Sequence, residues 1–397
     1  MSEPALPIFP FGTPPELDDE PAHRDLRRND PVCRVQLASG GTAYLISRYP
    51  DVKRLFVDRL FSRAAATRAG AATLRPAPLS PHMILSMDPP DHTRVRGLVN
   101  RAFTPRAVER MRPRIQQMAD ELVDRMIEHG PPVDFVRAFA EPFPAMAVAE
   151  LLGVPGADHG RLQAWMDVLM SITAHTPEEI HTASAQMRGY LADLVSEKRA
   201  APGDDVLSAM IEAHDEGDRL SEPELLQTAY IVLIGGYETT ATLLANSLLT
   251  LDRHRDQRAL MRDCPEIIPA AVEELLRYVR IARASLERVA TADVELSGVR
   301  VPAESTVIAL KYSAHRDEAL LPDPDRFDVT RENIPHIAFG LGIHHCIGAS
   351  LARLELTIAY RTLLGRLPGL RPAVPVSDVD WKVGLITRGP RALPVCW

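Results

Sequence analysis

Cysteine is scarce and scattered in this chain. Four occur among 397 residues, Cys33, Cys264, Cys346 and Cys396. None has a neighbour close enough in sequence for a redox pair or a structural zinc site. Such usage suits a reducing compartment, and Cys33, Cys264 and Cys396 read as inert. No run approaches the roughly 18 apolar residues of a membrane span. The proline-rich, acidic segment 1–20 has neither the basic start nor the apolar core of a secretory signal, so the expected location is cytoplasmic. Positive charge is not in excess: Lys and Arg number 45 against 53 Asp and Glu, a net charge of −8, which argues against a nucleic-acid partner. No serine-rich or charged tract separates two halves, and no internal repeat is visible. The composition, 46% hydrophobic and 25% charged, is that of an ordinary globular protein. One large helical domain over residues 1–397 is the simplest organisation.

What is present is concentrated near the C-terminus. Phe339-Gly340-Leu341-Gly342-Ile343-His344-His345-Cys346-Ile347-Gly348 runs into the helical pattern Ala349-Ser350-Leu351-Ala352-Arg353-Leu354-Glu355. Glycine permits positive φ and close backbone approach. Backbone N–H groups at a helix start stabilise negative charge on sulfur. Such a loop presents a single thiolate, and haem iron is the cofactor that uses one anionic axial sulfur ligand.

The central segment breaks local rules. Ser221-Glu222-Pro223-Glu224 is a capping-box start, and Leu225 to Leu251 is almost continuously apolar, which predicts a helix through the core. Its middle holds Gly235-Gly236-Tyr237-Glu238-Thr239-Thr240. Each interior glycine costs about 1 kcal/mol relative to alanine, and a buried carboxylate adds a desolvation cost. Such violations gather at functional sites.

The cysteine string resembles the haem-binding signature of the cytochrome P450 family, Phe-Gly-x-Gly-x-His-x-Cys-x-Gly, at every specified position. The likeness extends over nearly the whole chain and is greatest to soluble actinobacterial members. It implies a mainly α (α+β) fold with small β-sheets, and haem b between the long central helix and the Cys346 loop. By the same resemblance Cys346 is the iron ligand, with Phe339 and Gly340 in its loop. Thr239 and Glu238 form the pair that delivers protons to dioxygen. The Asp88-Pro89-Pro90-Asp91-His92-Thr93-Arg94-Val95-Arg96 string implies His92 and Arg96 as propionate ligands, and Arg288 and His344 match two further contacts. Glu274, Arg277 and Arg326 are implied as a buried triad bracing the proximal loop.

Between Arg94 and Arg114 lie seven arginines. This basic stretch in an acidic protein reads either as a solvated face or as the dock for an acidic electron donor. The resemblance implies a separate ferredoxin with its ferredoxin reductase. It also places Ser62–Met87, Trp165–Met170 and Leu385–Thr387 around the substrate pocket. Arg280 or Arg283 would either meet an acidic or hydroxylated substrate or pair with a nearby carboxylate. The expected reaction is insertion of one oxygen atom of O2 into a bulky secondary metabolite such as a polyketide macrolide or peptide. The alternatives are oxidative ring closure or coupling, and a non-catalytic ligand-binding member.

Overall fold

The computed structural model describes residues 5–11, 21–75, 79–215 and 220–397. Most of the proline-rich segment 1–20 therefore lies outside the described residues, although Ile8–Phe9 forms an edge strand.

A helix of 32 residues, Glu222–Arg253, runs through the main hydrophobic core. It contains the predicted apolar run, and the Ser221 N–H donates to the Glu224 carboxylate at 2.8 Å as the capping box requires. Helices Pro142–Leu152, Pro177–Ala200 and Ala349–Arg366 pack on it. Its side chains from Leu225 to Leu251 are buried except at Leu226, Tyr230, Ile231, Gly235, Gly236 and Thr239. Gly235 is exposed in the middle of this core helix, and a Cβ placed on it would meet nothing within 4 Å. The helix thus borders an internal space at the residues that break its pattern.

The main sheet has six strands in the order Ile8–Phe9, Val32–Leu37, Thr42–Ile46, Thr306–Ala309, Arg288–Ala290 and Phe61–Ser62. Strand Thr42–Ile46 runs parallel to Thr306–Ala309, and Ser62 stands opposite Val289 in an antiparallel pair. That register sets Arg63, just past one strand end, beside Arg288 at the start of its partner. The segment Ser62–Met87 then continues as short 3₁₀ turns at Ala65–Thr67 and Ile84–Ser86. It leads into helix Asp91–Ala102, which carries His92 and Arg96.

Candidate active site

The cysteine loop is shaped by its glycines. Gly340 and Gly342 have φ of +71° and +69°, and a Cβ on Gly342 would fall 2.8 Å from the Phe56 carbonyl oxygen, so only glycine fits there. The Cys346 N–H donates to the Phe339 carbonyl at 2.9 Å, and the Phe339 ring lies 4.6 Å from the Arg353 guanidinium. Helix Ala349–Arg366 starts three residues beyond the sulfur. Burial pushes the Cys346 thiol up, while the Gly348 N–H and the charges of Lys311, Arg96 and Arg353 pull it back. Yet Cys346 keeps exposed surface. A side chain that is both deep and exposed opens onto a space inside the protein.

Beside the loop the structure brings together His92, Arg96, Arg288 and His344. The rings of His92 and His344 are 4.3 Å apart, and the buried Nε2 atom of each has no hydrogen-bond partner. Arg96 donates to the His345 carbonyl at 2.6 Å, and Arg288 to the Phe61 carbonyl at 3.1 Å. Arg63, absent from the sequence-based set, joins them through bonds to the carbonyls of Leu85 and Glu287. Burial, followed by the charges of His92, Arg288, Arg63 and Arg96, holds His344 down to about 2. Burial is the main cause that lowers Arg63 and Arg288 to about 10; at Arg63 the charges of Arg288 and Arg75 add to it, while Glu287 and Asp88 oppose, and at Arg288 Asp88 opposes. Cation-forming side chains in this excess, with orphaned donors and Asp88 as the carboxylate that touches Arg63, make a receptor for a dianion. A porphyrin bearing two carboxylates and an axial thiolate fits both halves of this arrangement.

On the central helix, the Thr239 hydroxyl donates to the Gly235 carbonyl at 2.6 Å. Glu238 is buried and turned toward other elements. Thr387 and Thr242 donate to its Oε1 at 2.8 and 3.2 Å, and Lys382 Nζ lies 3.5 Å from the same oxygen. Lys382, itself buried, also approaches Glu141 at 3.3 Å and Asp167 at 3.6 Å. Burial raises the Glu238 carboxyl, with Lys382 opposing. Burial works against the Lys382 ammonium, but Glu238, Asp167 and Glu141 outweigh it and raise its value. Thr387 was expected in the pocket wall; Lys382 and Glu141 carry no motif that singles them out. No hydrogen bond or ion pair among the described residues joins this group to the cysteine loop.

One expectation needs correction. Glu274 and Arg277 form the bidentate pair at 2.7 and 2.8 Å, both fully buried. Arg326, however, gives them only its carbonyl; its side chain is 67% exposed and pairs with Asp328. The guanidinium near Glu274 belongs to Arg331, at 3.6 Å. Arg280 and Arg283 donate to the carbonyls of Ala282 and Leu385. Their charges act on His23 of the N-terminal helix Pro21–Asn29. Of the basic run, Arg94 is bound to Glu224 at 2.6 Å, Arg112 to Glu109, and Arg114 to Glu150 at 3.5 Å, while Arg106 and Arg110 are exposed.

A family model described as Cytochrome P450 matches residues 146–368. Nocardicin C N-oxygenase of Nocardia uniformis subsp. tsuyamanensis is 44% identical over 391 residues, covering 98% of each chain. The chain is a cytochrome P450. Mycinamicin IV hydroxylase/epoxidase of Micromonospora griseorubida is 42% identical over 390 residues, again with 98% of each chain covered. Among solved structures, that of HinD with NMFT and NO superposes with a TM-score of 0.94 at 42% identity, covering 100% of both chains. The P450 is thus a haem-thiolate monooxygenase that uses O2, a redox partner and an organic substrate. Among its described residues no helix is long and apolar enough to cross a membrane.

Proposed function

We propose that this P450 hydroxylates or epoxidises a bulky secondary metabolite, a polyketide macrolide or a peptide product, as one cytoplasmic haem domain spanning residues 1–397. The observation that carries the site is the exposed Cys346 sulfur beside the electron-poor cluster of His92, Arg96, Arg288 and His344. The substrate class follows the relatives' named products and substrates.

In this reading Cys346 would ligate haem b, with Phe339 and Gly340 shaping its loop, and Arg96 and Arg288 together with the imidazoles of His92 and His344 would bind the two propionates. Thiolate-ligated haem supplies dioxygen activation and oxygen insertion, at the expense of two electrons and two protons. The chain supplies the proton route. Glu238 keeps one oxygen, Oε1, tied to Thr242, Thr387 and Lys382, while the buried Oε2 makes no bond to protein. Oε2 is therefore the atom that takes up and passes on a proton. Asp167, about one-third exposed, is the solvent end of the chain Asp167–Lys382–Glu238. The Thr239 hydroxyl, donating to Gly235, is the last protein group before the internal space. The exposed Arg106 and Arg110 offer the positive surface that a ferredoxin, supplied by its reductase, would approach.

An optical titration of the ferric haem-loaded protein with macrolide, polyketide and peptide precursors tests this reading. A saturable blue shift of the Soret band with one of these classes supports it. A shift only with unrelated small aromatics would contradict it.

A further inference from the structure

A lysine stands at the base of the cysteine loop. Strand Thr306–Ala309 of the main sheet leads through Leu310 into the short helix Lys311–Ala314. Two side chains reach from there to the residues just before Phe339. Lys311 Nζ donates to the Ala338 carbonyl at 3.0 Å. His315 Nε2 accepts from the Ile337 N–H at 3.0 Å, and its Nδ1 lies 2.9 Å from the Arg277 carbonyl. The next carbonyl, that of Phe339, accepts the Cys346 N–H at 2.9 Å. One step along the backbone therefore separates the bond that fixes the ammonium from the bond that fixes the cysteine. Lys311 lies deep in the protein yet keeps some accessible surface, the combination that marks Cys346.

The charges around the loop are unequally matched. Arg353 is held by Glu273 through two bonds at 2.7 and 2.9 Å, and Arg96 belongs to the set assigned to the propionates. Lys311 enters no ion pair with a carboxylate among the described residues. A buried lysine without a counter-charge readily sheds its proton. Here burial works against the ammonium, and the negative sulfur of Cys346 favours it. Lys311 is in turn the foremost side-chain charge that favours the thiolate.

Reduction of ferric to ferrous haem takes one electron from the redox partner and no proton, so the site gains one unit of negative charge. A cation held nearby stabilises the reduced form more than the oxidised one, and a water-poor interior strengthens the effect. We propose that Lys311 sets the reduction potential of this P450: its ammonium, fixed at Ala338 on the cysteine side of the haem site, eases entry of the first electron. Lys311 touches neither substrate nor the reacting atoms and acts through the thiolate, so it is a positioning residue for charge. This rests on the reading of Cys346 as the haem ligand.

The test uses the haem-loaded protein without substrate. Spectroelectrochemistry reads the ferric–ferrous midpoint, and resonance Raman spectroscopy reads the iron–sulfur stretch. Lys311→Met keeps an apolar stem and removes the charge. It should move the ferric–ferrous equilibrium toward ferric about tenfold, a midpoint about 59 mV more negative for one electron. It should also raise the iron–sulfur stretching frequency, because a sulfur relieved of the cation donates more strongly. Lys311→Gln, which keeps an N–H donor without the charge, should behave like Lys311→Met, and Lys311→Arg should keep most of the parent's values. An unchanged midpoint in Lys311→Met and Lys311→Gln overturns the proposal. A midpoint lowered in Lys311→Met but kept in Lys311→Gln assigns the effect to the bond at Ala338 and overturns it. So does a shifted midpoint with an unmoved iron–sulfur band, which places the charge at the porphyrin carboxylates. Should Lys311→Met fail to fold around haem, the contrast between Lys311→Gln and Lys311→Arg decides. Failure of the haem-thiolate reading looks different, because the reduced parent protein would then lack the red-shifted CO band whatever the variants do.

Discussion

Lys382 Nζ stands 3.5 Å from Glu238 Oε1, with Glu141 and Asp167 at 3.3 and 3.6 Å on its other sides. One buried cation thus serves three carboxylates, two of them buried. This geometry ties the acid of the central helix to the C-terminal turn and to helix His159–Leu169.

Lys382→Met leaves three carboxylates facing one another with only the exposed Arg137, 3.8 Å from Glu141, as a cation. The Glu238 carboxyl then holds its proton still more tightly, and folding stability falls by about 3 kcal/mol, as for other broken buried ion pairs. Denaturant unfolding measures the loss, and an infrared carboxyl band that disappears in Glu238→Gln measures the protonation. Adding Glu238→Gln to Lys382→Met should recover part of the stability, because it removes one of the unmatched charges.

Adjacent glycines on the central helix should respond in opposite ways. A Cβ on Gly236 would lie 2.4 Å from Val148 Cγ2, and Val148 is a stiff, buried side chain of helix Pro142–Leu152. Gly236→Ala should cost about 1–3 kcal/mol through overpacking. Gly235→Ala meets no atom and should gain up to about 1 kcal/mol of helix propensity, while its methyl narrows the internal space. Thermal unfolding separates the two variants. Substrate titration should show weaker binding for Gly235→Ala.

The two arginines that follow Pro324 make a further contrast. Arg331→Ala removes the second guanidinium near the buried Glu274 and should lower stability by about 1–3 kcal/mol. Arg326→Ala removes an exposed partner of Asp328 and should change stability by less than about 0.5 kcal/mol. Parallel urea titrations decide between them.

Much of this is readable in the chain, for local reasons. Gly340 and Gly342 are needed where φ is positive, and the capping box at Ser221 opens the central helix where predicted. His92 and Arg96 share one helix, and the likeness of their surroundings to a known family points them at one target. Other contacts leave no local trace. Lys382 meets Glu141 across 241 residues and Thr387 meets Glu238 across 149, distances over which spacing carries no signal. Arg326 and Arg331 are five apart in an irregular loop, so nothing periodic says which side chain turns inward. Arg63 becomes legible only once the strand register sets it beside Arg288.

Glu355, on the helix after the cysteine loop, should make stability depend on pH. Burial raises its carboxyl well above the ordinary range, so the folded protein keeps a proton that the unfolded chain releases. Its contribution is fully present below the unfolded value, near 4.3, and is lost as pH rises toward the folded value. Glu355→Gln removes that part of the slope. Unfolding temperatures measured from pH 5 upward should therefore decline less steeply in the variant than in the parent.

The central claim is that Cys346 presents a thiolate to haem iron, and the CO difference spectrum of the reduced protein tests it most directly. The parent protein should show the strongly red-shifted Soret band of a thiolate-ligated ferrous–CO haem, and Cys346→His should lose that shift while retaining haem. A parent spectrum with the unshifted band of an imidazole-ligated haem, or a Cys346→His spectrum identical to the parent's, would contradict it.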